Sequence, residues 1–68
     1  MNTSHVWIVS DGELGQGGSV LAVFRTRKRA TDYVQAKRPD FALVFEGERC
    51  SEYRLYTDWV RIARHDVR

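Results

Sequence analysis

Only one stretch of this chain reads as helix, and the strand-like segments around it are apolar at odd and even positions alike. Thr26 is a residue type that caps helix N-termini, its side-chain oxygen accepting a backbone N–H from the first turn. Ala30, Tyr33, Val34 and the stem of Lys37 follow at the i, i+3, i+4, i+7 spacing of one helical face. Pro39 stops the helix, because the residue before a proline avoids helical angles. The spacing predicts a helix over residues 27–37. Such a helix spans about 16 Å and covers one face of a small sheet, no more.

Ser4–Ser10 is rich in β-branched and aromatic residues and reads as a first strand. Residues 11–18, DGELGQGG, read as a flexible hairpin loop built on Gly12, Gly15, Gly17 and Gly18. Ser19–Arg25 reads as a second strand and Phe41–Glu46 as a third, followed by a turn over Gly47–Ser51. Residues 52–64 read as one long fourth strand, with a bulge near Thr57-Asp58 where the apolar parity switches, and a frayed tail after His65. The element order is ββαββ. The expected fold is α+β: one domain over residues 1–68, with a four-stranded antiparallel sheet in the order 2-1-3-4 and the helix across one face.

A sheet covered on one side alternates apolar and polar residues. This one does not: Val6 and Ile8 oppose Trp7 and Val9, Val20 and Phe24 oppose Leu21 and Val23, and Leu43 and Phe45 oppose Ala42 and Val44. The surplus predicts an uncovered apolar surface that meets another protein or a second copy as a homodimer, with Trp7 or Trp59 as anchors. Self-coverage by sheet twist, loops or tail is the alternative.

With 68 residues the chain buries about 60% of its unfolded surface. A ligand cavity of roughly 300 Å³ or more would consume much of so thin a core, which argues against a metabolic enzyme. Charge is unevenly placed. From Arg25 to Arg38 six cations stand against one acid, Asp32, giving +5; the net charge is +2, so the remainder is −3. Arg25, Arg27, Lys28 and Arg29 cluster at the helix start, where cations oppose the helix dipole. The expectation is a contact with an acidic protein surface or, alternatively, with nucleic-acid phosphates. A solvated charged face, with Asp32 pairing to Lys28, is the plain reading beside it.

The glycine loop lacks the Gly-Lys-Ser/Thr of a phosphate loop and precedes a strand, not a helix, so it is no nucleotide fingerprint. His5, Cys50 and His65 lack metal-ligand spacing, and no metal or cofactor is expected. Asp11, Glu13, His5, Cys50 and Ser51 offer no nucleophile–base–orienter set by spacing, so no catalytic residues are expected. A single cysteine closes no internal disulfide, and the four-residue apolar run Val6–Val9 is too short for a leader or a span. A reducing, cytoplasmic setting with no membrane partner is the expectation.

The stretch from Val6 to Val34 resembles small uncharacterised domains of phages and bacterial accessory genomes. In these a strand ends in a Gly-rich loop, a V-x-V-F strand follows, and a helix of the type S/T-x-x-x-A-x-x-Y/F-V comes next. Here those elements are Val6–Ser10, Gly12–Gly18, Val20–Phe24, and Thr26 with Ala30, Tyr33 and Val34. The likeness covers less than half of the chain, and Arg27, Lys28 and Arg29 make this helix start more basic than is usual there. The resemblance implies a small phage-type protein that disables a host defence enzyme by protein–protein contact, an anti-CRISPR-like inhibitor.

Overall fold

A computed structural model describes residues 4–67 of the chain. Met1, Asn2 and Thr3, part of the N-terminus read above as lacking a leader, lie outside the described residues, as does Arg68. The elements are β1 (Ser4–Glu13), β2 (Ser19–Phe24), α1 (Arg27–Lys37), β3 (Ala42–Glu46), β4 (Cys50–Leu55) and β5 (Asp58–Val67). The fold is α+β, with one helix and one antiparallel sheet. The sheet has five strands in the order β2-β1-β5-β4-β3, which corrects the four strands in the order 2-1-3-4.

The correction has one source. Residues 52–64 do not form a single bulged strand; a two-residue turn at Tyr56-Thr57 folds them into the β4–β5 hairpin. Tyr56 takes a φ of 55°, the left-handed backbone that tight two-residue hairpin turns require at their first central position. The fold thereby gains a ten-residue β5, which pairs with β1 along its whole length from Ser4↔Val67 to Glu13↔Asp58. Residues 65–67 are thus strand, where a frayed tail is expected. Strand β3 still runs antiparallel in direction to β1, but the β4–β5 hairpin stands between them and leaves β3 on the rim. The helix carries the chain from the β2 rim to the β3 rim and packs over β1, β2 and β5.

The helix occupies the expected residues. Thr26 caps it, its side-chain oxygen accepting from the Arg29 N–H at 3.2 Å, and the Arg38 N–H closes it on the Val34 carbonyl at 2.7 Å. Ala30 and Val34 are buried, Tyr33 packs at the margin of the core against Phe24, and Lys37 is exposed. Beneath them lie Trp7 and Val9 of β1, Tyr53 of β4, and Val60 and Ile62 of β5. The pairing register places all five on the helix-side face, because Val9 sits opposite Ile62 and Tyr53 opposite Val60.

Both rim strands carry a β-bulge. Leu21 is the extra residue of β2 and Val44 that of β3. Bulges twist a rim and interrupt its ladder of free backbone groups. No helix among the described residues is long and apolar enough to cross a membrane.

Candidate functional site

The helix-free face of the sheet is read from the same register. Val23, Ile8, Ala63 and Cys50 lie side by side on β2, β1, β5 and β4, an uncharged row across four strands. The adjacent row runs Val20, Ser10, Arg61, Glu52, Phe45 and spans all five strands. The next carries Gly12, Trp59, Arg54 and Ala42. The face is therefore amphipathic in bands: an uncharged strip, then a charged centre with Val20 and Phe45 at its two ends.

The charged centre is tightly partnered. The Glu52 carboxylate accepts from Arg54 Nε at 2.7 Å and from Arg61 Nη2 at 3.0 Å. Arg61 also stacks over the Trp59 ring, 4.9 Å from its centroid. The Arg61 hydrogen bond, against the opposing effect of burial and together with Arg54, holds the Glu52 carboxyl below its ordinary range. A depressed carboxyl pKa contributes stability above the unfolded value and loses it as pH falls through the folded one. We therefore expect the melting temperature of the wild type to drop more than that of Glu52→Gln as pH is lowered from neutrality to below the ordinary carboxylate range. Equal slopes for the two proteins in a thermal titration would exclude this contribution.

The two tryptophans part company. Trp7 is 6% exposed and lies beneath the helix, so it is core and not an anchor. Trp59 stays partly exposed on the helix-free face, with its indole against Gly12 and Gly18. That contact explains two of the four glycines. Gly12 belongs to β1 and not to the loop, and Gly18 admits the ring; Gly15, with φ 83°, makes the turn itself. The loop is thus Leu14–Gly18, tied at its start by the Leu14 N–H donating to the Thr57 carbonyl at 2.8 Å.

The basic cluster resolves into parts with different tasks. Arg27 turns inward. Its Nη2 donates to the Gly47 carbonyl at 2.7 Å, the Cys50 carbonyl at 3.2 Å and the Ser51 Oγ at 2.6 Å. Its Nη1 donates to the Glu48 carbonyl at 3.1 Å, and the guanidinium lies over the Trp7 ring. At the other end of the helix Arg38 donates to Asp11 at 2.8 Å and lies over Phe41. Two arginines thus pin the two ends of α1 to opposite ends of the sheet. Lys28 pairs with Asp32 at 2.8 Å, as the spacing suggested. Arg25 and Arg29 are exposed and form no ion pair among the described residues.

A shallow cavity of about 220 Å³ opens at the end of the sheet, lined by Asp11, Glu13, Asp58, Arg38, Phe41 and Trp59 among others. Its arginine is already bound to Asp11. The other residues considered for chemistry are elsewhere. Ser51 is buried with its hydroxyl accepting from Arg27, Cys50 lies on the opposite face of β4, and His5 stands edge-on to Trp7. No group of three or more metal-binding side chains comes together among the described residues. No family model, curated protein or solved structure shows significant similarity to the chain.

Proposed function

We propose that the chain is a small non-enzymatic protein-binding module whose docking surface is the helix-free face of the sheet. One observation carries the reading: the uncharged row Val23–Ile8–Ala63–Cys50, with Val23 exposed and the other three half-buried, adjoins Arg61, which in turn stacks over Trp59. A sheet with one face permanently in water alternates apolar with polar side chains along each strand and so keeps that face polar. An uncharged strip next to an arginine that stacks on a tryptophan has instead the composition of an interface centre. Glu52 neutralises one of its two arginines, so the face has a net positive charge and suits a partner with an acidic rim. A host defence enzyme, the target implied by the phage-type resemblance, is the partner class we assign within this reading. Inhibition would then follow from occupying a surface of that enzyme.

The test uses immobilised protein, host lysate and mass spectrometry, with variants on two surfaces. Ala63→Glu places a charge in the middle of the uncharged row and is expected to reduce capture of the partner at least about tenfold, the effect of roughly 1.4 kcal/mol. Arg25→Glu with Arg29→Glu is expected to leave it nearly unchanged. The reverse pattern, with nucleic acid in the captured material, would favour phosphate binding at the helix entrance. Arg27 and Lys28 are already engaged, so a duplex contact through Arg25 and Arg29 would have a salt slope of only about −2.

A further inference from the structure

We propose that the two rims of the sheet are complementary and that the chain associates with further copies of itself rim to rim, β2 of one against β3 of the next. Three observations carry this. First, the exposed large apolar side chains concentrate on the rims: Val20, Leu21 and Val23 on β2, and Leu43, Val44 and Phe45 on β3. Second, the rims differ in the sign of their flanks. Arg25 and Arg29 follow β2, whereas Asp40 precedes β3 and Glu46 and Glu48 end it. All five charged residues are exposed, and none forms an ion pair among the described residues. Third, β2 and β3 run in the same direction at opposite rims.

Sliding one copy sideways by the width of the sheet therefore lays its β2 along β3 of its neighbour. Val20 and Phe45 end the same row of the helix-free face, so the shift brings them together. Arg25 of one copy then falls at the Glu46–Glu48 end of the other. Pairing β3 with β3 antiparallel about a two-fold axis would instead set Asp40 of one copy at the Glu46–Glu48 end of the other, and pairing β2 with β2 in this way would place Arg25 at the Ser19 end of its partner, away from both acidic flanks. The joined surfaces are not the same patch on both copies, so growth does not close at two unless the sheet twist bends it into a ring. The bulges at Leu21 and Val44 leave short stretches for backbone pairing, and three half-exposed side chains per rim are roughly 300 Å² against about 800 Å² per partner in a standard interface. Association is accordingly weak and depends on concentration and salt. This inference does not rest on the foreign partner proposed above, although Val23 belongs both to the β2 rim and to the uncharged row of the broad face.

The test is complementation between two variants followed by sedimentation or light scattering. Val20→Lys blocks the β2 rim and Val44→Lys the β3 rim; both residues are more than half exposed, and unchanged circular dichroism and melting temperature confirm their fold. Wild type is expected to exceed the mass of two protomers between about ten micromolar and about one millimolar. Each variant alone is expected to remain a monomer, and an equimolar mixture to form a one-to-one dimer that grows no further. A wild type that stays monomeric throughout overturns the proposal, as does a variant that dimerises alone or a mixture that stays monomeric. Arg25→Glu, which lies outside the strand, is expected to weaken wild-type association at low salt; unchanged association would also overturn it.

Discussion

Arg27→Ala is expected to lower the stability of the domain by about 3 kcal/mol and the melting temperature by about 15 °C. The guanidinium serves three carbonyls and one hydroxyl of the β3–β4 hairpin at once. Only the Glu48 carbonyl sits at an exposed contact; the other three acceptors are partly buried, and Ser51 itself is 2% exposed. Each acceptor stripped of a charged donor in such a place loses on the order of 1 kcal/mol or more, offset where water enters. The Trp7 face loses its cation as well. For a chain of this length the total is a large part of about 3–10 kcal/mol of stability. Arg27→Lys keeps the charge but cannot reach four acceptors with one ammonium group, so it is expected to recover less than half of the loss. Urea denaturation followed by circular dichroism reads both. A loss below about 1 kcal/mol for the alanine variant would mean that water replaces the guanidinium without penalty.

Gly18→Ala is the second large effect, expected at about 2 kcal/mol. A Cβ at this position would collide with Trp59 Cη2 and would stand 2.6 Å from the Asp11 carbonyl oxygen. The indole can swing aside at the cost of its stacking with Arg61. The carbonyl cannot, because Asp11 is paired on both sides, with Ser19 and with Val60. Gly17→Ala, one residue earlier, meets nothing within 4 Å and is expected to be neutral within about 0.5 kcal/mol. Equal midpoints for the two variants in urea would remove the tryptophan seat from the account.

The helix was legible because its signals are local: a cap at Thr26, a face at Ala30 and Val34, and a stop at Pro39. The β4–β5 hairpin was not, because its turn carries neither glycine nor asparagine. Tyr56 takes the left-handed angle itself, and the parity switch that marks the turn reads equally well as a bulge within one strand. With β5 unseen, β3 took its place beside β1. The loop reads as longer than it is for a related reason: Asp11, Gly12 and Glu13 look like loop residues until β5 is there to pair them. The surplus of apolar side chains was visible, but its distribution was not. Strand parity alone could not show that Glu52, Arg54 and Arg61 converge on the middle of the helix-free face, since that depends on the register of β4 against β5. The task of Arg27 was hidden altogether. Three of its acceptors are backbone carbonyls 20 or more residues away, and backbone groups leave no mark in a sequence.

The helix lies over β1, β2 and β5, and β3 stands beyond its reach. Resistance to opening is therefore graded across the sheet. Amide protons of residues 7–11 in β1 and 58–63 in β5, where each strand is paired on both flanks, are expected to reach solvent only when the whole domain comes apart. Those of β3, fastened by one neighbour and by the arginine at its turn, escape through a smaller excursion in which the rest keeps its shape.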